Sequence, residues 1–182
     1  MKNANKTVVK LSALLIGIAI IFGAINAVWY FGYKKTFDEF SKAMEESPAA
    51  FESKGRYELK KDDCICQLKM PEYLGSGGYL TVQKAINVIY EIDDNGNIVN
   101  KDEKTVILHI WPQKFGGYTY GVSVISGAEV RQININADCS VVPQKNGNTE
   151  LDEYNTQIIS ENSYDIMHLF EIAKAVWMLE CA

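Results

Sequence analysis

Leu11 to Phe31 reads LSALLIGIAIIFGAINAVWYF, 21 residues without a charge, in which Ser12 and Asn26 are the only clearly polar side chains. A helix of that length rises about 1.5 Å per residue and spans about 30 Å, the thickness of a bilayer's hydrocarbon core. Whatever follows it is therefore read as a domain tethered to, or exported across, a membrane.

Two readings compete for this run, a retained transmembrane helix and a cleaved secretory signal. Lys2, Lys6 and Lys10 suit both. A cleaved signal has an apolar core of about 7–15 residues followed by small residues before the cut. Here the core is longer, and the best cut, after Ala27, puts Ile25 in a small-residue position. Trp29, Tyr30, Phe31 and Tyr33 then form an aromatic cluster of the kind that settles at headgroup depth. Lys34 and Lys35 follow as snorkelling cations. Retention is the favoured reading. Three lysines before the span against two after it place the N-terminus in the cytoplasm and the C-terminal domain outside it, in a single-pass protein of the cell membrane. The first cysteine is Cys64, so no acylation site of the lipoprotein type lies near the helix. Ala19, Gly23 and Ala27 recur every fourth residue and are the candidate face for helix packing into a homodimer.

The charge divides at the same place. Residues 1–35 hold five of the 18 basic residues and no acid, which leaves 13 basic residues against all 23 acids beyond them, a balance near −10. Arg56 and Arg131 are the only arginines. Phosphate recognition needs clustered Lys and Arg, so nucleic-acid binding is excluded as an expectation. The partners expected are the bilayer, through residues 11–33, and a protein or a glycan. No cofactor motif is present.

Along the chain, Phe37, Phe40, Ala43 and Met44 recur at helical spacing, and nothing but Gly32 interrupts the approach from the membrane run. A hydrophobic helix that runs on into a domain with an antiparallel sheet is similar in layout to the type IV pilins. Their processing site needs a Gly just before the apolar stretch and a Glu inside it. Lys10 and an acid-free run stand there, so the chain is not assigned to that family. Cys64, Cys66, Leu68 and Met70 alternate on one face of a strand after a turn at 60–63. Further alternation marks 79–92, 118–126 and 130–136, with a turn at Asp93–Asn97, and 105–111, apolar on both faces, reads as a central strand. Short links without crossover helices predict antiparallel pairing. A Thr149-x-x-Asp152 cap opens the last, helical part, where Ile166, Leu169, Phe170, Ala173, Val176 and Trp177 form one apolar face. The fold class is α+β: a transmembrane helix, then one domain with an antiparallel sheet of about five strands packed by an N-terminal and a C-terminal helix. The layout is a basic flank at 1–10, a signal anchor at 11–33, a juxtamembrane amphipathic helix at 34–52 and an extracytoplasmic domain at 53–182.

No stretch carries an evident chemistry. Gly75-Ser76-Gly77-Gly78 lacks the Gly-Lys-Ser/Thr of a phosphate loop and reads as a turn. Glu91, Asp93, Asn95 and Asp102 fall at ligand positions of an EF-hand loop, but the flank alternates like a strand, and a hairpin turn accounts for them. Cys64, Cys66, Cys139 and Cys181 are disulfide candidates. Cys64 and Cys66 sit about 6.5 Å apart along a strand, where a direct bridge would strain the backbone, and each could instead reach Cys139 or Cys181, with three connectivities open. His109 reads as a satisfied core histidine. His168 has Asp165 and Glu171 three residues to either side, without the further ligands that a metal needs and without a His-Glu-x-x-His pattern. Tyr73, Tyr79 and Phe115 lie beside loop glycines and are the surface aromatics that could stack on a glycan or peptide. The sequence favours a membrane-anchored binding module. The rivals are an anchored hydrolase or thiol-active protein, and a structural subunit of a membrane assembly.

Overall fold

The apolar run and the amphipathic stretch after it form one rod. In the computed structural model, which describes residues 2–47, 50–73, 75–127, 129–145 and 147–179 (backbone alone at 2–7, 85–91 and 98–103), α1 spans Lys2–Trp29 and α2 spans Lys35–Glu45. A single π-helical stretch, Tyr30–Lys34, joins them, closed by the bond from the Lys35 N–H to the Tyr30 carbonyl. The helix within Val8–Glu45 is long and apolar enough to cross a membrane, by length and composition, and none of its apolar window is buried. That fits a membrane anchor or a signal sequence. The second half behaves differently. Tyr33, Phe37, Phe40 and Met44 form a buried stripe, with acids and lysines between them.

The helix ends at Glu45 and Ala50–Ser53 is already a strand, so the amphipathic helix expected to reach residue 52 is shorter. The sheet has seven antiparallel strands rather than five: β1 Ala50–Ser53, β2 Arg56–Lys61, β3 Cys64–Lys69, β4 Tyr79–Ile92, β5 Ile98–Pro112, β6 Tyr118–Ser126 and β7 Glu129–Ile135. They lie side by side in chain order. The two added strands are β1 and β2, joined by a two-residue loop in which Lys54 and Gly55 both take positive φ, 52° and 72°. That is the type I′ turn whose twist matches a hairpin. Lysine there carries no turn signal, so the hairpin is hidden in the sequence.

One face of the sheet is the core. Cys64, Cys66, Leu68, Leu80, Val82, Val106, Leu108, Ile110, Val122, Ile133 and Ile135 all point into it. α2 covers β1 and β2. α4, Ser163–Trp177, covers β3, β4 and β5 with Ile166, Leu169, Phe170, Ile172, Ala173 and Trp177. α3, Thr149–Glu161, precedes it. Its cap is Asn148, whose side chain accepts the Leu151 N–H at 3.1 Å, and not Thr149. Asp152 instead accepts the Gln144 N–H. Among the described residues, no helix packs on the other sheet face. There His109 hydrogen-bonds Ser123 at 2.9 Å and stacks on Trp111. His109 is thus satisfied, as expected, but on the uncovered face rather than in the core.

Candidate functional site

Two constellations stand out, one at each end of β3. The first is the junction between the apolar helix and the domain. Trp29 meets Tyr73 edge-on, ring centroids 4.9 Å apart. Tyr33 is buried, and its hydroxyl accepts the Gly78 N–H at 3.0 Å. Gly32, in the π-helical turn, lies against the carbonyl of Lys114, where a Cβ would collide. Two loops, 71–78 and 113–117, therefore grip the rod where it leaves the domain. Between them and the helix is a cleft of about 610 Å³ whose lining includes Ile25, Val28, Trp29, Gly77, Lys114 and Phe115. Phe115 is 88% exposed at its mouth. Tyr79 lines an adjoining cleft with Trp111 and Phe115. The three surface aromatics picked from sequence thus gather at one end of the domain. Tyr73 is 40% exposed and half-engaged by Trp29, so it is a packing residue as much as a surface one.

The second constellation lies at the opposite end of β3, about 17 Å along the strand. The tight β2–β3 turn places Asp63 at the rim, with Cys64 next to it on the inner face. Asp63 Oδ2 accepts from Lys84 Nζ at 2.8 Å, and Asp63 Oδ1 lies 3.2 Å from His168 Nε2 on α4. The Cys64 thiol donates to the same Oδ1 at 3.4 Å. Asp165, one turn before His168, stands 3.8 Å from Lys84 Nζ. The Lys84 ammonium and the His168 ring hold the Asp63 carboxyl well below the usual carboxylate range. Hydrogen bonding to Asp63 in turn raises Lys84. The sequence pairs His168 with Asp165 on one helix surface and gives Cys64 no link to either. Asp63 and Lys84 were missed, since 105 residues separate Asp63 from His168 and no local pattern reports that contact. Glu171, the other acid beside His168, pairs with Lys174 instead.

The remaining candidates are placed as follows. Cys64, Cys66 and Cys139 are free thiols, and Cys181 lies outside the described residues. Burial pushes the Cys64 and Cys66 thiols up to about 12, which leaves almost no thiolate at neutral pH and speaks against a thiol nucleophile. Residues 91–102 form a strand–turn–strand with Glu91 paired to Asn100. The Asp93 carboxylate is occupied by the N–H groups of Asn95 and Asn97 at 2.9 and 2.8 Å. The side chains of Glu91 and Asp102 lie outside the described residues. Ala19, Gly23 and Ala27 are exposed along α1, and a Cβ on Gly23 would meet nothing. Among the described residues, the one hydroxyl bonded to a histidine is Ser123, and no carboxylate bonds to that histidine to complete a triad. Comparison of the chain with family models, with curated proteins and with solved structures finds no match.

Proposed function

We propose that the chain is a single-pass membrane protein, anchored by residues 11–33 with its N-terminus in the cytoplasm, that holds an acidic binding domain upright on the extracytoplasmic face. The observation that carries this reading is the junction. The apolar helix does not hang from a linker; it continues into the domain core, and two loops lock it through Trp29–Tyr73, Tyr33–Gly78 and Gly32–Lys114. Trp29, at the end of the apolar run, and Gly32 and Tyr33, directly after it, belong to the domain's packing, so a retained helix leaves the domain without a flexible joint. Tyr33, Phe37, Phe40 and Met44 supply that packing directly after the apolar run.

In this reading the bilayer's surface lies near Phe31, and Lys114 and Phe115 stand beside it. A binding role rather than catalysis is favoured by the raised thiols and by the lack, among the described residues, of a nucleophile paired with an oriented base. The test is topology. In intact cells, an impermeant protease should remove the domain and leave a fragment of residues 1–35 that resists alkaline extraction. Cleavage only after lysis would reverse the orientation. A mature protein beginning near Val28 would replace the anchor with a signal.

A further inference from the structure

We propose that Asp63, Cys64 and His168 form a binding site for a thiophilic divalent cation of the zinc type, with Lys84 and Asp165 as its supporting shell. Three different donor types converge here from three directions: the β2–β3 turn, the inner face of β3 and the exposed side of α4. Zinc bonds of about 2.0 Å to N and O and about 2.3 Å to S place tetrahedral ligands about 3.3–3.6 Å apart. The observed separations are 3.2 Å from Asp63 Oδ1 to His168 Nε2 and 3.4 Å from Oδ1 to Cys64 Sγ, and all three ligand atoms lie within 4.8 Å of one another. The carboxylate is also divided in the required way. Oδ1 faces the histidine and the thiol, while Oδ2 is taken by Lys84 at 2.8 Å. That is how an outer-shell group fixes a ligating carboxylate without occupying the metal's place. Asp165 then restrains the lysine at 3.8 Å.

The charge and proton count closes. Cys64 gives up its thiol proton to solvent as the metal–sulfur bond forms, so one proton leaves per ion. The thiolate and the Asp63 carboxylate together neutralise the divalent charge, and neutral His168 offers its Nε2 lone pair. The Asp63 and His168 side chains are 54% and 35% exposed, so the fourth position opens to water. Three protein ligands with an open fourth place is the composition of an accessible zinc site rather than a closed structural one.

Cobalt(II) titration of the full chain in detergent, after chelator treatment, tests the site. The expected result is one equivalent bound, with a thiolate-to-cobalt charge-transfer band and the visible bands of a tetrahedral ion. Cys64→Ala should abolish the charge-transfer band, and Cys66→Ala, a buried thiol outside the cluster, should leave it unchanged. His168→Ala should weaken binding about 100-fold and Lys84→Met about tenfold. Each variant is checked by circular dichroism. Should one fail to fold, the wild-type melting temperature with zinc and with chelator decides instead, since a site that binds the native state raises it. No band at millimolar cobalt, a cobalt affinity unchanged in His168→Ala, a band that follows Cys66, or a melting temperature indifferent to zinc would each reduce the cluster to an ion-pair network.

Discussion

Gly78 shows how a single position can be fixed by a contact made far away in the chain. A Cβ there would come 2.5 Å from the Phe37 ring and 2.7 Å from the Lys69 carbonyl. Neither neighbour can yield, because Phe37 is fully buried and Lys69 is bound into the sheet. Gly78→Ala should destabilise the domain by about 1–3 kcal/mol, read by chemical denaturation, and a variant as stable as the parent would mean that Phe37 repacks freely. The run Gly75-Ser76-Gly77-Gly78 reads as a loop in sequence, which is right as far as it goes. Its last member is a close approach between a helix and a strand start, and only the packed partner 41 residues earlier reveals that. Asp63 is a similar case, with a consequence for pH. Its carboxyl is depressed in the folded state, so its contribution is fully present above the ordinary carboxylate pKa near 4 and is lost as pH falls below that value. Lys84 is raised, so its contribution is present below the ordinary lysine value near 10.4 and is lost as pH rises through its folded value. These two groups leave stability flat from about pH 5 to 9, while His109, whose ring burial holds below the usual imidazole range, removes stability as pH falls below about 6.5. Asp63 is half exposed, so Asp63→Asn should cost about 1 kcal/mol or less at neutral pH and should flatten the acid limb of the melting-temperature profile. An acid limb unchanged in Asp63→Asn would assign it to other carboxylates.

At the scale of elements, period told more than boundaries did. Alternation located β3, β4, β6 and β7 within a residue or so and the 3.6-residue repeat located α4, because one face of each is buried and the other is not, whereas β5 begins at Ile98, seven residues before the expected start at Thr105. β1 and β2 escaped for a physical reason. β1 has Phe51 68% exposed, so it has no apolar face to alternate, and its turn is made by a lysine in the left-handed region. The cap of α3 went to Asn148 rather than Thr149, one residue earlier, because both side chains are competent acceptors and only the backbone path chooses between them. Asn148→Ala should cost about 1 kcal/mol and Thr149→Ala much less, measured in the same denaturation series; the reverse order would return the cap to the threonine. The π-helical turn was equally invisible. It requires Gly32 to admit the Lys114 carbonyl, which makes the turn a joint between α1 and the 113–117 loop. Gly32→Ala should release that loop. Hydrogen exchange at residues 113–117 should accelerate while α4 keeps its protection, and an unchanged pattern would show that the joint holds without the contact.

For the whole molecule, the two constellations divide the domain into an end at which the apolar helix enters and an end opposite it. The charge split supports the same polarity, with five lysines and no acid up to residue 35 and all 23 acids beyond. The sequence alone located the apolar helix and assigned the acidity to one side of it. It could not show that the loop aromatics return to the helix, because that return is made by the sheet, whose β4 and β5 start and end beside Tyr33. Phe115 is the sharpest consequence. It is 88% exposed, yet it lines a cleft shared with Ile25 and Val28, residues inside the apolar span. An aromatic ring in that position belongs at the headgroup boundary, where its burial is worth about 1.5–3 kcal/mol. With Phe115→Trp introduced into a chain whose own tryptophans at 29, 111 and 177 are replaced by phenylalanine, emission in reconstituted bilayers should be blue-shifted and quenched by lipids brominated near the headgroup. Water-like emission, insensitive to those lipids, would lift the loop off the surface and leave the domain standing clear of the membrane on its helix. Should the four-site variant be unstable, Phe115→Cys carrying an environment-sensitive dye, in a chain whose other cysteines are removed, gives the same reading.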